Sequence, residues 1–194
     1  MRVFGLTGGM GMGKSTSAQL LRQRGAAVVD ADDLARQMVQ PRQPALLEIQ
    51  RVFGGDIVGP DGQLRRDELA RIVFADAAAR QRLEAILHPR IRDQWRAQIA
   101  TWCNQGVPLA VVVIPLLFET KAEAEFDVTI CVACSAATQC QRLLARGWTA
   151  GQIARRLAAQ WPIERKMAQS DCVVWSEGGL EVLAQQLWRI FPAG

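Results

Sequence analysis

The run Gly8-Gly-Met-Gly-Met-Gly-Lys14-Ser15 constrains this chain more than any other stretch. It satisfies G-x-x-x-x-G-K-[ST]. Its flanks are those such a loop requires, an apolar strand-like run at 3–6 and a helical pattern over 15–22. Glycines permit a tight backbone with positive φ, so that successive N–H groups converge on one concavity where a helix N-terminus adds partial positive charge. A polyphosphate is the expected occupant. Lys14 is expected to reach its terminal phosphates, and the Ser15 hydroxyl to hold a magnesium ion bridging them. A turn that bound nothing would need neither the lysine nor the flanking strand and helix.

Short apolar runs alternate with amphipathic stretches along the rest of the chain, which predicts an α/β fold with helices on both faces of a parallel sheet. Strands are expected at 3–6, 27–30, 109–114, 128–134 and, more weakly, 172–175. The length of 194 residues suits one domain with insertions. About 75 residues separate the second strand from the third, far more than a crossover needs, and Pro41, Pro44, Gly54-Gly55 and Asp61-Gly62 punctuate them. This stretch reads as a helical insertion. Pro89 is expected in the first turn of a helix with the apolar face Ile91, Trp95, Ile99 and Trp102. A later helix over 136–146 is stopped by Gly147, and Thr149 caps the next.

Charge and cysteine usage exclude several classes. The net charge of +4 arises from 23 basic and 19 acidic residues spread along the chain, which favours a small anionic ligand over nucleic acid. No stretch approaches the roughly 18 consecutive apolar residues of a membrane span, and the N-terminus lacks a signal-peptide pattern, so a cytoplasmic location is expected. Five cysteines, mostly within apolar runs, argue against a disulfide framework. Cys131 and Cys134 form C-x-x-C inside a strand pattern, but no second pair follows and the one histidine is His88, so buried thiols are expected in preference to zinc.

The second acidic element narrows the class. The third strand ends Ile114-Pro115 with no acid until Glu119, whereas the second is followed by Asp30, Asp32 and Asp33. At the carboxyl end of a parallel strand, one of these carboxylates would stand near the phosphates and accept the proton of an attacking hydroxyl. Another is expected to cap a helix starting near Leu34. The one asparagine, Asn104, precedes Gln105, so the N-K-x-D pattern of guanine-specific sites is absent. Arg142 and Arg146, spaced i, i+4, would share a helix face and swing over the terminal phosphates. These features favour phosphoryl transfer to a small acceptor; a nucleoside monophosphate type of kinase and a non-catalytic ATP-binding module stay open.

Together the segments 5–16, 29–32, 88–92, 113–119 and 139–146 resemble dephospho-CoA kinase, from the first strand to about Gly179. The resemblance implies a three-layer α/β/α P-loop kinase with a five-stranded parallel sheet. Its core would span approximately 1–32, 106–136 and 170–194, with a helical acceptor-binding insertion at 33–105 and a small helical lid at 137–169. It further implies transfer of the γ-phosphate of ATP, with Mg2+, to the 3′-hydroxyl of dephospho-CoA. On the matching positions Asp32 would be the general base and share the metal with Ser15, while Lys14 and Arg142 would stabilise the transferring group. ATP would lie on Gly8, Gly9, Gly11, Met12, Gly13, Lys14, Ser15, Thr16, Arg142 and Arg146. Asp30, Asp32, His88, Arg92, Pro115, Leu116 and Glu119 would shape the acceptor site. For His88 a plain alternative is that it ends a helix ahead of Pro89. Two positions depart from the family pattern: Ser176 where an asparagine near the adenine is common, and Gly147 where many relatives carry aspartate after the lid arginine.

Overall fold

A computed structural model describes residues 1–191. Its sheet is formed by β1 (Arg2–Gly8), β2 (Ala27–Asp30), β3 (Leu109–Val113), β4 (Val128–Ala133) and β5 (Cys172–Trp175), in the order β2-β3-β1-β4-β5. Every pairing is parallel, as expected when strands are joined by helical crossovers. The helices are α1 (Lys14–Gln23), α2 (Ala31–Met38), α3 (Pro44–Phe53), α4 (Arg66–Ala75), α5 (Ala77–Asn104), α6 (Ala136–Ala145), α7 (Ala150–Ala158), α8 (Ile163–Gln169) and α9 (Leu180–Ile190). β1 outruns its apolar pattern because Thr7 and Gly8 still pair with Cys131 and Val132 of β4. The strand therefore delivers its last residue directly into the phosphate loop.

The chain divides into two compact units, one of Met1–Asp30 with Ile99 onward and the other of Ala31–Gln98. In the first, Phe4 and Leu6 of β1, Val111 and Val113 of β3, Ile130 and Val132 of β4, and Val174 of β5 alternate onto one sheet face. There they meet Ala18 and Leu21 of α1 and Leu183 and Leu187 of α9. α8 lies against β1 and β4. In the second unit Val39, Ile49, Ile57, Leu69, Val73, Ala79 and Ile86 form a separate core. Each buried aliphatic side chain contributes roughly 1.5–3 kcal/mol to holding its helix in place.

Two local expectations are corrected. α2 begins at Ala31, directly after β2, so Asp32 and Asp33 occupy its first turn and do not precede a helix near Leu34. Carboxylates in a first turn are favoured by the helix dipole, which removes the need for a separate capping loop. Pro89 and His88 lie inside the 28-residue helix α5, so Pro89 does not open a helix and His88 does not end one. An interior proline costs about 3 kcal/mol. Here buried Ile86 and Trp95 anchor the helix on both sides of it. Arg90 adds a tie, donating to the Ile86 carbonyl at 2.6 Å and to Glu48 of α3 at 2.5 Å. The expected helix ends over 145–149 hold: Gly147 takes φ 82°, and Thr149 with Gln152 forms a capping box.

Candidate active site

The loop between β1 and α1 is shaped by close approach. A side chain at Gly8, where φ is 141°, would place its Cβ 2.2 Å from the Val132 carbonyl oxygen, so only glycine lets β1 pass β4 here. Gly13, with φ 96°, is the residue on which α1 starts. It offers no capping side chain, and the first turn of α1 carries no acid. The leading N–H groups of α1 are thus left for an external anion. The Lys14 ammonium donates to the carbonyls of Gly8 and Gly9 at 2.9 and 3.0 Å, which arches the loop around its own cation. Ser15 is exposed in the first turn of α1.

α6 and the turn after β5 brace this loop from outside. Gln139, 7% exposed, donates to the Met10 carbonyl at 2.7 Å. The Ser176 hydroxyl, on a residue 5% exposed, donates to the Met12 carbonyl at 2.8 Å. Arg142 donates to that hydroxyl at 2.9 Å, to the Ser176 carbonyl at 2.7 Å and to the Gly11 carbonyl at 3.4 Å. These contacts place the Arg142 guanidinium beside Gly11 and Ser176. Arg146 stands at the C-terminal end of α6. Both arginines line a cleft of about 210 Å³ with Gly11, Gly13, Thr16, Ser176, Gly178, Gly179, Leu180 and Leu183. The cleft continues from the phosphate loop toward the start of α9.

Asp30 ends β2 in register with Val113 of β3, and Val113 pairs with Leu6 of β1. Two strand spacings, about 10 Å, therefore separate Asp30 from β1 along the carboxyl edge of the sheet. Asp32 follows as an exposed residue in the first turn of α2, within the second unit. The second unit also carries His88 and Arg92, both half-buried on α5. Burial lowers the His88 pKa below 6.5, Glu84 opposes that shift and Arg92 adds to it.

Pro115, Leu116 and Glu119 sit in the segment that follows β3. The Pro115 carbonyl accepts from Lys166 at 2.6 Å and from the Thr7 hydroxyl at 3.3 Å. Glu119 accepts from the same Lys166 ammonium at 2.8 Å and from the Trp161 backbone N–H at 2.9 Å. Lys166 is fully buried and Glu119 is 15% exposed, so this ion pair ties α8 to the segment after β3. Trp161 stacks on Phe118 with 6.4 Å between centroids. Lys166, Gln139 and the cap partner Glu177 were not singled out from the sequence as functional. A lysine in an amphipathic helix reads as exposed, and only a partner 47 positions away in the chain explains its burial. Cys131 and Cys134 are buried thiols, as expected. Burial pushes Cys131 up to about 11 despite Lys166 and Lys14 nearby.

A parallel sheet flanked by helices, a glycine-started helix behind a strand, and a lysine arched over the loop define a P-loop nucleotide-binding fold. A sequence profile of the dephospho-CoA kinase family matches residues 2–181, and the chain belongs to that family. A dephospho-CoA kinase of Anaeromyxobacter dehalogenans is 49% identical, over 98% of this chain and 90% of that protein. A solved protein of Thermus thermophilus superposes with a TM-score of 0.83 at 34% identity, covering 98% and 96% of the two chains. A dephospho-CoA kinase from Campylobacter jejuni shares the fold at 22% identity, with a TM-score of 0.71 and coverage of 98% and 96%. Membership makes the chain an ATP-dependent phosphotransferase and favours dephospho-CoA over a nucleoside monophosphate as its acceptor.

Proposed function

We propose that the loop Gly8 to Ser15 holds the phosphates of ATP while Asp32 takes the proton of the dephospho-CoA 3′-hydroxyl. The freed oxygen then attacks the γ-phosphorus, the bond to the β–γ bridging oxygen breaks, and ADP leaves. The bare first turn of α1 beside the Lys14 ammonium carries this reading, because an uncapped helix start presents donors and partial positive charge to an external anion. Lys14 and Arg146 stabilise the charge on the transferring group. Arg142 was expected on the transferring group as well; with its guanidinium held by Gly11 and Ser176, it is assigned instead to the nucleoside end of the donor. His88, Arg92, Pro115 and Leu116 are assigned to the acceptor, together with Asp30. Glu119 acts on the acceptor segment through Lys166 and Trp161.

Magnesium fits the donor set. Ser15 supplies an exposed hydroxyl and Asp32 a carboxylate, both hard oxygen ligands. Among the described residues no cluster of three or more His, Cys, Asp or Glu stands ready for a metal. Phosphate oxygens of the donor would supply further ligands to the ion. When bound, it neutralises charge on the β- and γ-phosphates. A cytoplasmic setting is supported by five unpaired thiols, and among the described residues no helix is long and apolar enough to cross a membrane.

An acceptor screen with Mg-ATP tests the reading: dephospho-CoA should be phosphorylated, and AMP and UMP should not. Asp32→Asn should lower turnover by roughly a thousandfold while ATP affinity stays within a few-fold, because it removes the base and spares the loop. Substantial residual turnover would transfer the base role to another group.

A further inference from the structure

The cleft beyond the phosphate loop is where the donor's nucleoside must lie if the loop holds its phosphates, and the inference below rests on that reading. The Thr16 hydroxyl and the Arg146 guanidinium stand at its phosphate end, by the start of α1 and the end of α6. Farther in, the Ser176 hydroxyl lines the cleft, and its one proton is already committed. It donates its proton to the Met12 carbonyl and accepts from Arg142. The neighbouring carboxylate, Glu177, does not line the cleft. It is held elsewhere by the Ser135 N–H at 2.9 Å, by the Ser135 hydroxyl, and by the Trp175 indole N–H at 2.9 Å.

What remains to touch a base is of a different kind. Arg142 presents a planar guanidinium fixed by three acceptors, and such a plane stacks on the π-face that every base possesses. Leu180 and Leu183 supply apolar surface. Gly178 and Gly179 line the same cleft without any side-chain donor or acceptor to read a base edge. We propose that this enzyme reads its phosphoryl donor as a nucleoside triphosphate and discriminates weakly among bases, so that GTP, and less efficiently CTP and UTP, replace ATP. An apolar pocket separates closely related ligands by about 10- to 200-fold, whereas a site whose buried polar groups the wrong ligand leaves unpaired separates them by about 10⁴-fold or more. Purines stack over a larger area, so GTP should stand nearest to ATP.

Initial rates with dephospho-CoA and each of the four Mg-nucleoside triphosphates test this. A kcat/KM for GTP within about a thousandfold of that for ATP supports the proposal, and a larger gap overturns it. Absence of turnover with every donor would instead count against the functional reading. Equilibrium titration of the same four nucleotides, followed by tryptophan fluorescence, then decides base tolerance by the same criterion. Ser176→Ala adds a second arm. If the hydroxyl serves to hold Arg142 and not to read the base, kcat/KM should fall by about tenfold, equally for all donors. A loss confined to ATP would overturn the assignment.

Discussion

Neighbouring turns at one edge of the sheet, β1 into α1 and β4 into α6, start their helices in opposite ways. α1 begins on Gly13 with no side-chain cap. α6 begins on Ser135, whose hydroxyl accepts from the Thr138 N–H and is itself engaged by Glu177. A capped start satisfies its own orphan donors and adds to stability; an uncapped one leaves them for a ligand. The turn after β3 follows a third course. No helix start serves it, and a buried ammonium, Lys166, holds its carbonyl and its carboxylate. Three turns along one edge thus separate binding from stability, and substitutions in each should report on one or the other.

Lys14→Ala should show the largest effect, and on activity alone. Removing the ammonium takes away charge stabilisation of the transferring phosphoryl group, worth on the order of a thousandfold in kcat/KM. Nucleotide affinity should fall as well, while the thermal midpoint of the nucleotide-free protein changes little, because the bonds from Lys14 to Gly8 and Gly9 lie within the loop itself. A variant with lost activity and an equally depressed midpoint would break the contrast between the turns.

Lys166→Met should do the reverse, acting first on stability. Taking one partner from a buried ion pair leaves the other charge uncompensated and costs about 3–5 kcal/mol. Lys166 is fully buried and Glu119 is 15% exposed, so little solvent screens the remaining carboxylate. Adding Glu119→Leu should recover much of the loss, since an apolar pair of similar volume commonly replaces a buried ion pair without penalty. Urea denaturation of the single and double variants checks this. A double variant no more stable than the single one would show that the brace depends on the Pro115 carbonyl rather than on the charge pair.

The sequence made the first unit far more legible than the second. Near-continuous apolar runs and the glycine loop mark β1, β3 and β4 directly, because a buried parallel strand must be apolar on both faces. The second unit offers turn punctuation and a helical apolar face that begins at Ile91, which points to a helix start at Pro89 because proline favours that position. Tertiary packing overrode the local preference: Ile86, Trp95 and the Arg90–Glu48 contact hold a helix through it. Within the site, Gly8 to Ser15 was legible because motif and backbone geometry coincide. The contacts of Arg142 were not legible, since its acceptors, Gly11 and Ser176, lie 131 and 34 positions away.

Ser135→Ala sharpens the comparison at a smaller scale. It removes the cap of α6, a change costing about 1 kcal/mol, and it takes a partner from Glu177. Because Ser135 does not line the cleft, kcat/KM below the melting range should stay within a few-fold of the wild type. An activity loss matching that of Lys14→Ala would mean that this capped turn also serves binding.

The smallest effect expected is on the acid limb of stability. The Ser135 hydroxyl foremost, then Thr138, the Trp175 indole and the Ser135 N–H, hold the Glu177 carboxylate at a pKa of about 2, against 4.5 for an ordinary glutamate. A carboxylate with a lowered pKa in the folded state binds its proton more readily when the chain unfolds, so acid favours unfolding. Its contribution is therefore complete above about pH 4.5 and drains away as the pH falls toward 2. Glu177→Gln abolishes that titration. The difference in thermal midpoint between wild type and variant should be constant near neutrality and shrink between pH 4.5 and 2. A difference that stayed flat through this window would mean that the carboxylate's hydrogen bonds favour its charged and neutral forms alike, and that the cap of α6 draws its strength from the Ser135 hydroxyl alone.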